Sequence, residues 1–125
     1  MRTIKYRAWT GTKMVIPNEI RWNDDGSIRE INTEGLSNIP GCDRWPLLEF
    51  TGLKDKNGVE IFEGDILKFS DWKPKEVVYL DKDFAGFSLK GTDLWLMQYD
   101  MDKAEIIGNI YKNPELLKGE GDEND

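Results

Sequence analysis

Apolar and polar residues alternate from the start of the chain, with Ile4, Tyr6 and Ala8 on one side of an extended segment and Lys5 and Arg7 on the other. This period of two belongs to a strand half buried against a core and predicts β structure over residues 2–9. Gly11 to Lys13 reads as a turn into Met14-Val15-Ile16, Pro17-Asn18 breaks that segment, and Ile20 and Trp22 mark another short one. Asn23-Asp24-Asp25-Gly26 is a hairpin signal, because Asp and Gly tolerate the backbone of tight reversals, so Ile28 and Ile31 fall on the returning strand. From Thr33 to Pro46 no period is sustained, and Gly, Asn, Ser and Pro predict a surface loop carrying an unexpected aromatic, Trp45.

Beyond Pro46 the strand signals sharpen. Leu47 to Leu53 is a strand, Lys54 to Gly58 a turn whose Asn57-Gly58 suits a type I′ reversal, and Val59 to Phe62 the return. Glu63-Gly64-Asp65 is a tight turn, with Gly64 taking a positive φ and Asp65 accepting backbone amides. In Ile66 to Phe69, Leu67 and Phe69 face inward and Lys68 outward; after a break at Asp71 to Pro74 comes Glu76 to Leu80. In Gly86 to Lys90, Phe87 and Leu89 face inward, with Ser88 and Lys90 outward. Tyr6, Phe50, Phe62, Phe69, Tyr79 and Phe87 are expected in the core. Leu94 to Met97 is short enough for a strand or one helical turn. Ala104 to Tyr111 is a last strand in which Gly108 marks a bulge or a close backbone approach. Asn113 as N-cap, Pro114 at the first position and Glu115 in the first turn start a short helix. Short strands at intervals of about ten residues make this a mainly β chain, with a small five-stranded barrel as the natural solution.

The chain has 125 residues, 38% hydrophobic, which is the size of one domain with material for a packed core. No apolar run approaches the ~18 residues of a membrane span, and no signal-peptide segment follows the opening residues, so a cytoplasmic location without a membrane partner is expected. A lone Cys42 and the absence of histidine remove disulfides, multi-cysteine metal sites and His-based acid–base chemistry. The net charge of −7 repels a phosphate backbone and disfavours nucleic acid. Four acids against one lysine in residues 118–125 supply −3 of that charge, and so short and polar a tail is expected to be disordered.

Candidate chemistry is sparse. Asp55-Lys56-Asn57-Gly58 lacks the later acids of a calcium loop and reads as a turn. Glu63 and Asp65 could in principle pair as acid and base, but no nucleophile accompanies them and turn geometry accounts for both. No phosphate-cradling glycine spacing is present. No catalytic residue, metal ligand or cofactor is expected.

Three motifs then stand out in order: Ile4-Lys5-Tyr6-Arg7-Ala8-Trp9; Phe50 to Gly58 running through Ile61-Phe62-Glu63-Gly64-Asp65-Ile66-Leu67; and Ile106 to Leu116. Together they closely resemble the YopX family of phage and prophage proteins, with least match between Met14 and Trp45. The resemblance implies a mainly β protein containing an SH3-like barrel, encoded on mobile elements, that self-associates; it brings no catalytic residues. The expected layout is one YopX-like domain over residues 1–117, with an N-terminal β segment at 1–46, the barrel at roughly 47–112, a short C-terminal helix and the acidic tail at 118–125.

Aromatic residues are in surplus. Trp45 and Trp72 fall in polar, proline-containing loops and Trp95 between leucines, positions from which an indole can fill the gap between barrel and N-terminal strands, bury itself in a subunit interface, stack a nucleobase or meet peptide prolines, with interface burial favoured. Trp45, Trp72 and Trp95 are therefore the candidate interaction surface. The leading expectation is a non-enzymatic, cytoplasmic accessory protein acting through protein–protein contacts, as a homo-oligomer and with a host or phage protein. The alternative is a nucleic-acid-binding module using barrel aromatics and the basic strip Arg2, Lys5 and Arg7.

Overall fold

The computed structural model describes residues 5–34, 39–69, 72–81, 85–92 and 94–117, and the chain is mainly antiparallel β. Two compact units divide between Glu49 and Phe50. The expectations placed on Arg2, Ile4 and the tail from Lys118 lie outside the described residues.

In the Lys5–Glu49 unit, β1 (Tyr6–Trp9) pairs antiparallel with β2 (Met14–Val15). Its other edge takes the first residues of β5 (Leu47–Lys54), with Ala8 opposite Leu47. A hairpin joins β3 (Glu19–Trp22) to β4 (Ile28–Asn32). Its reversal is held by Asn23 N–H to Ser27 O at 2.8 Å and Gly26 N–H to Asn23 O at 3.0 Å, with Gly26 at φ 90. Ala8, Ile31 and Cys42 are buried, and Trp45 packs against them, so the indole expected on a surface loop is part of this core. A 3-10 turn at Cys42–Arg44 turns the loop inward, and the Cys42 Sγ accepts the Ile31 N–H at 3.4 Å.

In the second unit the end of β5 pairs with β6 (Glu60–Phe62), and a four-stranded sheet runs in the order β10-β7-β8-β9. Its strands are β7 (Asp65–Phe69), β8 (Lys75–Asp81), β9 (Ala85–Leu89) and β10 (Ala104–Asn109), curled as a half-barrel. Ile61, Leu67, Phe69, Val77, Phe87, Leu89, Leu96 and Ala104 form its core, where each large side chain contributes about 1.5–3 kcal/mol by leaving water. Lys68 stands on the opposite face from Leu67 and Phe69, as the alternation predicts. Gly64 takes φ 88, and the Asp65 carboxylate accepts the Phe62 N–H at 2.8 Å. The Gly64 N–H donates to Val77 O and its carbonyl accepts the Ile110 N–H, both at 2.9 Å, which ties that turn to β8 and to the end of β10.

Several expectations are corrected. The turn after β5 has Lys56 and Asn57 at its centre, since Gly58 N–H bonds Asp55 O at 3.0 Å and Asp55 N–H bonds Val59 O at 2.9 Å. With Gly58 at φ 80 after the turn, this is the three-residue hairpin loop, not a type I′ turn around Asn57-Gly58. Ser88 points away from the main core yet is 0% exposed, because Thr92, Leu94 and Trp95 lie against it; its Oγ donates to Leu94 O at 2.5 Å. Tyr79 shares the inner face with Val77 but sits near the strand end, 41% exposed, touched edge-on by Phe87. The helix expected after Asn113 is one 3-10 turn, Pro114–Leu117.

Gly108 fulfils both of its readings. The β10–β7 register shifts between Ile106 and Gly108, and a Cβ at Gly108 would lie 2.5 Å from the Asn113 Oδ1.

Candidate functional site

Between β9 and β10 the described residues hold no strand. The chain turns through two 3-10 segments, Leu96–Gln98 and Met101–Lys103, which carry Tyr99 between them. Each is closed by side-chain acceptors near its start: the Gln98 Oε1 takes the Trp95 N–H at 2.7 Å, and the Asp100 Oδ1 takes the Asp102 N–H at 3.1 Å. Short turns leave their side chains splayed instead of stacked on a ladder, and this one presents Tyr99 toward the end of β7.

There an open cleft of about 810 Å³ forms, entirely within the second unit. Phe69, 5% exposed, lies at its base, and Trp72 and Tyr99 form its aromatic walls. The Phe69 ring is 5.4 Å from Trp72 and 5.7 Å from Tyr99, while Trp72 and Tyr99 meet at 85° and 5.7 Å. The positive edge of one ring thus faces the negative face of the other, which fixes the corner. Trp72 is also anchored through its backbone, its N–H donating to Phe69 O at 2.7 Å and its carbonyl accepting the Lys68 ammonium. Nonetheless its side chain remains 48% exposed.

Leu94 and Gln98 add to the lining on the turn side, and Lys56, Asp100, Asp102 and Lys103 supply its charge. Lys56 stands 3.5 Å from Glu105 and Lys103 3.9 Å from Asp100, so both cations already face a carboxylate. Among the described residues no cation pairs with Asp102, and no acceptor meets the Trp72 indole N–H, the Tyr99 hydroxyl or the free amide nitrogen of Gln98. The cleft is thus, among the described residues, an aromatic corner with hydrogen-bond donors and one carboxylate that meet no protein partner.

The three tryptophans singled out in the sequence have three different settings. Trp72 lines the cleft and Trp45 packs in the core of the other unit. Trp95 bridges Ser88 and lies against β9 at Gly86, where a Cβ would meet its ring at 2.6 Å. The sequence pattern gives Tyr99, Gln98 and Asp102 no role; the one signal is an aromatic among polar residues in a stretch without period. Of the basic strip, Lys5 is exposed and Arg7 half-buried, both in the Lys5–Glu49 unit.

Carboxylates with shifted ionisation lie outside the cleft. Burial pushes the Asp55 carboxyl upward, but it is outweighed by the N–H groups of Ile106, Val59 and Asn57, with Lys56 nearby, and the group stays below its ordinary value. Burial raises Glu76, partly opposed by Lys90 at 3.9 Å. Glu63 lies in the turn before β7, Asp65 opens that strand, and neither is among the cleft residues. Among the described residues no group of three or more metal-ligating side chains occurs, and no helix is long and apolar enough to cross a membrane.

Comparison with known proteins gives two likenesses. The family described as YopX protein matches residues 5–118. The crystal structure of protein EF1440 from Enterococcus faecalis is similar with a TM-score of 0.70 and 31% identity, over 94% of this chain and 99% of that one. No curated protein matches.

Proposed function

Because this chain belongs to the YopX family over nearly its whole length, we propose that it is a non-enzymatic phage or prophage accessory protein, working in the cytoplasm through protein–protein contacts made at the aromatic cleft. The observation that carries this reading is the composition of the cleft. Half-exposed Trp72 and Tyr99 over buried Phe69 are the residue types that dominate protein interfaces, and they are already held in place before any partner arrives. The finer fold assignment is an SH3-like barrel, supported by the order of β6, the meander β7-β8-β9, the 3-10 turns and the closing strand β10. Self-association belongs to the same reading, since Ile16, Trp22, Val59 and Met97 are exposed apolar residues.

The nucleic-acid reading has less support, because both cleft lysines face carboxylates and the chain carries −7. A photoreactive amino acid in place of Leu94, at the lip of the cleft, tests the proposal in phage-induced cells. The expected result is a discrete protein adduct that disappears with Trp72→Ala. Nucleic-acid adducts, or none, would overturn it.

A further inference from the structure

The cleft has unused groups of a particular kind, and they narrow what fits it. We infer that it takes an extended, proline-bearing peptide segment with a basic residue beside the prolines; this rests on the protein-contact reading above. Three peptide shapes compete. An added β-strand needs an open strand edge, whereas the lining from Leu94 to Lys103 is built of 3-10 turns. An amphipathic helix needs a continuous apolar trough for residues one turn apart, and here the aromatic corner is flanked by Lys56, Asp100, Asp102 and Lys103.

A polyproline II segment needs neither. It has no internal hydrogen bonds, so its carbonyls arrive without donors, and its flat pyrrolidine rings pack on aromatic faces. The cleft answers both needs: Trp72 and Tyr99 meet edge to face at 85° beside Phe69 and line it with aromatic surface, Trp72 being 48% exposed, and the Trp72 indole N–H, the Tyr99 hydroxyl and the Gln98 amide have no acceptor among the described residues. Asp102 sets the charge of the ligand. With Lys103 facing Asp100 and Lys56 drawn toward Glu105 outside the lining, Asp102 is the lining charge with no ion-pair partner among the described residues, which favours an arginine or lysine on the peptide and disfavours an acidic one.

Fluorescence anisotropy on the full chain tests this with a labelled peptide of about ten residues, holding a PxxP core and one flanking arginine. It is compared with the same peptide carrying alanine for both prolines, and with glutamate for the arginine. The PxxP-Arg peptide is expected to bind saturably, and the alanine peptide about tenfold or more weaker. Trp72→Ala should cost ~30-fold, as a central aromatic anchor does. Asp102→Lys, an exposed substitution that leaves the fold intact, should invert the preference so that the glutamate peptide binds better than the arginine peptide. That inversion keeps the test decisive even if Trp72→Ala fails to fold. Equal binding of the proline and alanine peptides, no binding at millimolar peptide, or an unchanged charge preference in Asp102→Lys would overturn the inference. A Leu94 photoadduct to a protein, formed in cells but not displaced by the PxxP-Arg peptide, would remove the peptide class and leave the protein-contact reading standing.

Discussion

Asp55 shows how one side chain stabilises two distant pieces of backbone. Its Oδ1 accepts the N–H groups of Asn57 and Val59 at 2.9 and 3.0 Å, closing the hairpin loop, and its Oδ2 accepts Ile106 N–H at 3.0 Å, on β10. Asp55 is 7% exposed, so Asp55→Ala leaves three part-buried amides without their acceptor and is expected to cost about 1–3 kcal/mol in chemical denaturation. The ionisation has a sign: its folded pKa lies below the ordinary 3.8, so its charge stabilises the fold fully above that value. This contribution is lost as pH falls through the lower folded pKa. Acid denaturation of the wild type should therefore show a loss that Asp55→Asn lacks, and parallel pH profiles would contradict this. Ser88 is the other telling residue. Alternation places it outward, where Ser88→Ala would be silent, yet its buried hydroxyl holds Leu94 O, and the change is expected to cost about 1–3 kcal/mol, while Lys90→Ala stays within about 0.5 kcal/mol.

Strands declare themselves in the sequence where one face meets solvent. Leu67, Lys68 and Phe69 alternate cleanly because Lys68 has water beside it, and so β7 was legible in position and phase. Leu67→Ala or Phe87→Ala should each destabilise by about 2–5 kcal/mol, and losses below about 0.5 kcal/mol at both in thermal melts would refute the assigned phase. Ser88 misled because its cover, Thr92, Leu94 and Trp95, is placed over it by contacts with no periodic signature. Tyr79 has the right face but lies too near the strand end for other strands to cover it. The cleft was half legible. Trp72 beside Pro74 is visible as a loop aromatic, but Tyr99, Gln98 and Asp102 are brought to it by two short turns whose hydrogen bonds depend on neighbours, not on any period. Gly108 was legible outright, since a glycine inside an apolar strand weakens it and is kept where a bulge or a close backbone approach needs the missing side chain. Gly108→Ala drives a methyl into Asn113, whose own Cβ stands 2.9 Å away, so about 1–3 kcal/mol of strain is expected, relieved by adding Asn113→Gly. Lack of relief in the double variant would place the strain elsewhere.

At the scale of the molecule, the exposed apolar residues Ile16, Trp22, Val59 and Met97 are the support for the proposed closed homo-oligomer. Light scattering on the full chain and on one ending at Leu117 should give the same oligomeric mass, because like charges keep the acidic tail out of a contact between copies. A monomeric mass at tens of micromolar would sink that proposal. The central claim is that Trp72, rather than Trp45 or Trp95, carries the docking surface, and the five indole N–H groups of the chain provide the readout. A nitrogen–proton correlation spectrum recorded while the PxxP-Arg peptide is added tests it most directly. The account predicts a saturable shift of the Trp72 indole resonance with those of Trp45 and Trp95 unmoved; shifts at Trp45 or Trp95 with Trp72 unmoved, or no indole shift at saturating peptide, would contradict it.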